Sequence, residues 1–392
     1  MLIWGAMAVP VLTAIVLLVG FKHRVVWWEF LIPFGFSLIM VVGMKACVQT
    51  VQTRDTEYWG GVMQTAEYYE RWNEKVTCRH TKYCTRTVRD GKGKSHSESY
   101  ACGKQHGYDV DDHPPYWQVV DDNGIAIPIS VGRFEQLARR FGNRRFVDLH
   151  RHYHTVDGDK YVATWDGSEA TLEPVFTEHA YENRVQASNS VFNFQPVSKA
   201  DVSAYQLFDY PPVDGYTQVS ILGQGGPTQA AAEELLAKAN ARLGHGKQAR
   251  IFVLIFRNQP QQAGILQENY WKRGNKNELV LTIGVNDNDD VQWGYVFSWT
   301  EVEELKIELR DQIASMKHLD LVKLVNDAVP LVTDKWQRKH FKDFSYLTVE
   351  PPIWAVALSY LLALLLNVGL SAWIVGNQFQ DEPVRGWRGH RN

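Results

Sequence analysis

Three groups of side chains in this 392-residue chain have the types and spacing to do chemistry. His150, His152 and His154 alternate within the run Phe146–Thr155, which reads as a strand. A period of two would set the three imidazoles on one face together with Asp148. Neutral imidazole is a common ligand for zinc, copper or nickel, so the face is a candidate metal surface, and the solvated side of a half-buried sheet explains the same letters. The second group lies in Thr77–His106, where Cys78, Cys84 and Cys102 are interleaved with His80, His96 and His106. Thiolate and imidazole together suit tetrahedral zinc, although spacings of six and 18 residues match no C-x-x-C ribbon. In an oxidising compartment the expectation is a disulfide from Cys78 or Cys84 to Cys102. The third group, Asp287, Asp289 and Asp290, offers oxygens to calcium or to a metal-dependent phosphatase, yet it lacks a 12-position loop closed by glutamate and reads first as a hairpin turn.

Other signals are weaker. The glycine run Gly223–Gly226 precedes a helix, as phosphate-binding loops do, but it lacks the Lys-Ser/Thr of a Walker loop. No G-x-S-x-G elbow, H-E-x-x-H helix or dinucleotide fingerprint occurs. No cofactor is therefore expected, with calcium or zinc as the alternative.

The elements that must position these groups fall into two units. The first, 51–195, is β-rich: Trp117–Val120 and Ile125–Ile129 flank the turn Asp121–Gly124, and a meander follows through Tyr161–Trp165 and Ala170–Phe176. A stretch rich in Pro, Gly, Ser and Asp, 196–226, reads as a linker. The second unit, 227–348, opens with an alanine-rich helix, Thr228–Leu243, for which Gly244 reads as the stop. Arg250–Phe256 is apolar without interruption and suits a strand buried on both faces. A helix in Gln261–Lys272, a hairpin of Glu278–Val285 and Val291–Trp299, a helix capped by Thr300 and Glu303, and a helix in His318–Trp336 complete the order α-β-α-β-β-α-α.

Three apolar runs bracket these units. Leu2–Phe21 and Val25–Met44 each reach the length that spans about 30 Å of hydrocarbon, and they form a helical hairpin over 1–48. The third helix occupies 352–376 and is followed by a basic tail, 377–392. No basic residue precedes the first run, so it reads as an uncleaved anchor. Lys22, Arg24, Arg385, Arg388 and Arg391 would share one side of the membrane, which the positive-inside tendency assigns to the cytoplasm. The middle of the chain then faces outward, into the periplasm if the membrane is a bacterial inner membrane. Two polar positions stand within the helices: Glu29, a carboxylate near the headgroup level, and Asn367, a contact former between helices.

The second unit resembles the TPM domain family, found in bacterial membrane-anchored proteins, a thylakoid lumen protein and an accessory protein of a neurotransmitter receptor. The similar features are the strands Ile251–Phe256 and Leu279–Val285, the acidic turn with Asp287, Asp289 and Asp290, and the step Gly294-Tyr295 after it. The resemblance implies lumenal or periplasmic placement and a role as an interaction module, with phosphatase activity and calcium binding proposed for some members. The helical hairpin and the β-rich unit depart from the family's usual layout.

Composition bounds the rest. With 45% hydrophobic and 12% aromatic residues the chain folds, and 41 Lys and Arg against 44 Asp and Glu leave no basic footprint for nucleic acid. The reading is an α+β protein with three transmembrane helices. Its outward-facing units are expected to bind a protein partner or a second copy at the membrane. A metal-dependent hydrolase is the alternative, and a channel or transport component the third choice.

Overall fold

The computed structural model describes residues 2–20, 27–77, 81–91, 93–104, 108–149, 154–188, 194, 196–213, 215 and 218–377. A 3-10 turn, Leu2–Met7, leads into helix α1 (Ala8–Gly20), and a second, Trp27–Phe30, leads into α2 (Leu31–Thr53). Both spans, together with a third at the C-terminal end, are long and apolar enough to cross a membrane. Lys22, Arg24 and the tail arginines lie outside the described residues. The second helix runs past the expected end at 48, and the first strand begins at Arg54 with no loop between them.

The β-rich unit contains β1 (Arg54–Tyr69), β2 (Trp72–Thr77), β3 (Thr81–Arg89), β4 (Ser95–Lys104), β5 (Tyr108–His113), β6 (Tyr116–Asp121) and β7 (Ala126–Pro128). Helix α3 (Val131–Phe141), β8 (Arg144–Val147), β9 (His154–Val156), β10 (Lys160–Thr164), β11 (Pro174–Glu182) and the short α4 (Arg184–Ala187) follow. Strand β1 organises the unit. Its first half pairs with β11 and its second half with β6 and β10, giving the sheet order β7-β6-β1-β10-β8. Helix α3, absent from the sequence reading, covers this sheet with Phe134, Leu137, Ala138 and Phe141, a stripe at helical spacing. Ser130 accepts from the Arg133 amide at its start, and Gly142 in the left-handed region ends it.

The run Phe146–Thr155 is not one strand. β8 stops at Val147 in the main sheet, while β9 starts at His154 in a separate three-stranded sheet ordered β5-β2-β9. The single histidine face expected there is therefore not formed by one strand, and His150 and His152 lie outside the described residues.

Strands β3 and β4 form a two-stranded arm joined by the Cys84–Cys102 disulfide. Cys78 lies outside the described residues, and Cys47 is free and exposed. The arm presents mostly exposed residues, and an isolated hairpin is marginal in water. The bond closes an 18-residue separation, worth about 3 kcal/mol of unfolded-state restriction. Replacing both cysteines with serine should speed amide exchange in 81–104 by well over tenfold and leave the body's melting temperature nearly unchanged. A melting temperature lowered throughout would show that the arm belongs to the core.

The second unit has helix α5 (Lys199–Ala204), β12 (Ile221–Leu222), α6 (Gln229–Lys247), β13 (Arg250–Arg257), α7 (Gln262–Tyr270), β14 (Glu278–Val285), β15 (Val291–Ser298), α8 (Glu303–Ser315) and α9 (Leu321–Lys335). Its sheet runs β12-β13-β14-β15, parallel except for β15. Alternate residues explain the apolar run in β13. Ile251, Val253 and Ile255 face α6, α8 and α9, whereas Phe252, Leu254 and Phe256 face α7 and the aromatic side chains of 205–210. The segment 196–226 is thus no linker: Leu207, Phe208 and Tyr210 pack on the sheet, and Gln267 and Trp271 hydrogen-bond the Phe208 backbone. Thr300 does not cap α8. Its hydroxyl accepts from the Val302 amide and donates to the Gln337 carbonyl, and α8 begins at Glu303.

A 3-10 turn, Phe341–Phe344, precedes α10 (Ile353–Asn377), the third apolar span. Helix α10 packs on both α1 and α2. Asn367 is buried there and donates to Ser37 on α2 at 2.8 Å. The tight contact between these helices is at Gly5, which faces the Tyr360 hydroxyl, and not at Gly369, around which a Cβ would meet nothing. Glu29 is buried at the start of the second span beside Phe30, which packs with Leu17 and Ile374.

Candidate functional site

The two extramembrane units are locked along β1 and α6. A Cβ on Gly60 would stand 2.2 Å from the Asn240 carbonyl oxygen, and one on Gly244 would stand 2.2 Å from the Gly60 backbone. Gly244 is inside α6 and does not end it, because its missing side chain is what admits the strand. Close by, Arg250 and Glu278 are both fully buried, 3.6 Å apart. The Tyr210 hydroxyl donates to Glu278 at 2.5 Å and accepts from Arg250 at 2.9 Å. Burial, and then the Glu278 charge, push the Tyr210 phenol far above its ordinary range. The guanidinium lies 4.4 Å from the Phe252 ring and also faces Tyr58 and Phe176 of the β-rich unit.

Further along the seam, towards the membrane helices, opens a cavity of about 510 Å³. Arg184, Lys276, Arg338, Lys339 and Lys342 line it with His340, against one lining carboxylate, Glu182. Glu57 lies beneath, buried, and takes both Arg338 and Lys276, the latter at 3.4 Å. Three of the cations are seated on aromatic faces, Lys339 on that of Phe344 at 5.8 Å. The Arg338 guanidinium lies 5.3 Å from the Trp59 ring and the Lys276 ammonium 4.2 Å from the Tyr181 ring. Burial lowers the Lys276 pKa, and the Arg338 charge adds to the shift against the pull of Glu57. His179, stacked on Trp59 at 3.8 Å, is likewise lowered by burial and by Arg338. Lys339 and Lys342 form no ion pair among the described residues, so the cavity holds surplus positive charge.

A second cavity, about 620 Å³, adjoins the first through the shared residues Tyr181 and Glu182. It is lined by Ala46, Gln49, Thr50, Thr53 and Arg54, the last turns of α2 and the first residue of β1. The basic chamber is therefore separated from the end of α2 by no more than the shared residues Tyr181 and Glu182. Two adjoining cavities of this size, walled by guanidinium, ammonium and aromatic faces, can hold a compact anion with an attached apolar or polar stem.

The groups singled out in the sequence fall elsewhere. Asp287, Asp289 and Asp290 form the β14–β15 turn at the carboxyl end of the sheet, as expected of a hairpin. Each carboxylate already has a donor: Asn258 to Asp287 at 2.6 Å, Arg257 to Asp289 at 2.5 Å, and Asn286 to Asp290 at 3.0 Å with His318 at 3.1 Å. Gly223–Gly226 neighbours this turn, and Gly223 lies against the Ile255 carbonyl with φ +98. His154 lies on β9, remote in the topology from the aspartates. The seam residues were missed as a site, although the crowding of Lys335, Arg338, Lys339 and Lys342 before the third span was a readable signal. Compared with protein-family models, with curated proteins and with solved structures, the chain matches none.

Proposed function

We propose that this is a membrane-anchored binding protein, not a catalyst, and that its basic seam cavity holds the phosphate-bearing headgroup of an anionic phospholipid. The observation that carries this reading is the convergence of five Lys and Arg side chains on a chamber that shares Tyr181 and Glu182 with a second cavity at the end of α2. Headgroup docking would fix the height of the rigid two-unit body above the bilayer. The Cys84–Cys102 disulfide supports an oxidising compartment for the body, hence the outer side of a bacterial inner membrane. The TPM resemblance of 227–348 supports an interaction role in the same compartment.

The test is titration of phosphatidylglycerol into the full-length protein in neutral detergent, with bound lipid counted by native mass spectrometry. Lys339→Glu with Lys342→Glu should weaken binding about 10- to 100-fold, since each near-surface cation contributes about 1 kcal/mol. Equal retention by this variant, or no preference over phosphatidylcholine, would refute the proposal. Competition by inorganic phosphate at equal affinity would identify a free anion as the ligand.

A second reading, recognition of a protein partner or a second copy, is favoured by the disulfide-pinned arm. Tyr83 on it is 69% exposed and Tyr100 41% exposed. Deletion of 82–103 abolishing a co-purifying assembly would support that reading.

A further inference from the structure

The geometry points to a zinc site on the small sheet β5-β2-β9, built from Glu74, Asp111 and His113. Glu74 stands directly opposite Asp111, and Trp72 opposite His113, so these four residues share one face. The His113 ring lies on Trp72 with centroids 3.7 Å apart and planes 13° from parallel, which fixes where its nitrogens point. Nε2 of His113 is closed to solvent and has no hydrogen-bond partner, and it faces Glu74 Oε1 at 3.6 Å, beyond hydrogen-bond length. One donor atom from each of Glu74, Asp111 and His113 lies within 4.8 Å of the others, so side-chain shifts of under about 1 Å bring them to the zinc distance of about 2.0–2.2 Å from one ion.

A further observation says what the ion would do. Among the described residues, none of these three strands contributes to any hydrophobic core cluster. A small sheet whose described side chains stand outside the hydrophobic clusters is the kind of element that metal ligation stabilises. The mixed imidazole and carboxylate set selects a borderline ion such as zinc over calcium or magnesium, which take all-oxygen shells. Ligation across the pair would staple β2 to β5. The site is independent of the seam cavity and of any lipid there.

The experiment uses full-length protein in mild detergent, stripped with a chelator and reloaded with Zn²⁺ alone or Co²⁺ alone. One equivalent of zinc should bind, and amides in 72–77 and 108–113 should exchange at least tenfold more slowly when it does. Co²⁺ should give a visible absorption band that His113→Phe abolishes. Glu74→Gln and His113→Phe should each weaken zinc binding at least 100-fold. The phenylalanine keeps the ring on Trp72, so loss of binding with an unchanged melting temperature of the stripped protein reports the ligand and not the fold. No zinc uptake, or uptake unaltered in both variants, would overturn the site.

Discussion

Gly60→Ala and Gly244→Ala should each undo the docking of the two extramembrane units, although both add a single methyl. The added carbon would meet backbone atoms at 2.2 Å in either case, and neither partner is the free end of a side chain. Relief requires α6 to lift from β1. Lifting strains the bonds that cross the seam there, Asn277 to the Tyr58 carbonyl at 2.8 Å and Lys276 to Glu57 at 3.4 Å. Overpacking costs about 1–3 kcal/mol, and each lost buried bond adds about 1 kcal/mol, so a loss of roughly 3–5 kcal/mol is expected. Helix propensity alone would favour Ala at 244 by about 1 kcal/mol, so the two effects have opposite signs there. Gly132→Ala on α3, whose Cβ would meet only the Ser130 hydroxyl at 4.0 Å, should be neutral or stabilising. Chemical denaturation of the three variants checks this: a Gly244→Ala protein as stable as Gly132→Ala would show that β1 does not lie on α6.

The Arg250–Glu278 pair carries the second large effect. Both side chains are fully buried, and Arg250 has Nε and Nη2 without a partner among the described residues. Arg250→Ala strands a buried carboxylate, a change that typically costs about 3–5 kcal/mol. Arg250→Met combined with Glu278→Gln removes both charges and keeps most of the volume, so it should recover more than half of that loss. Tyr210→Phe, which removes the hydroxyl bridging the pair, should fall between them. The denaturation midpoints order these variants, and additivity of the two single changes would mean the pair does not interact.

The sequence revealed most where burial leaves a period. The doubly buried strands β13 and β14 show as unbroken apolar runs, and the three apolar helices as runs long enough to span a membrane. The α/β unit was legible in element order for that reason. Strand β1 was not, because Gly60 and Gly61 interrupt its pattern at the point where α6 crosses. Nor was 196–226, whose anchors Leu207, Phe208 and Tyr210 sit among Pro and Asp residues that signal loops. The seam cavity draws its cations from 184, 276 and 338–342, and no local pattern marks residues that meet only through two folded units.

The direct passage from α2 into β1 has a mechanical consequence. Thr53 ends the helix and Arg54 begins a strand that pairs first with β11 and then with β6 and β10, so no slack lies between the bilayer and the centre of the β-rich unit. Ladder bonds in antiparallel sheets run across the strand axis. Tension along β1 would therefore load the whole ladder in shear, all bonds sharing the force, instead of peeling them one at a time. With α2 in a bilayer, a pull on it would reach the sheet without slack.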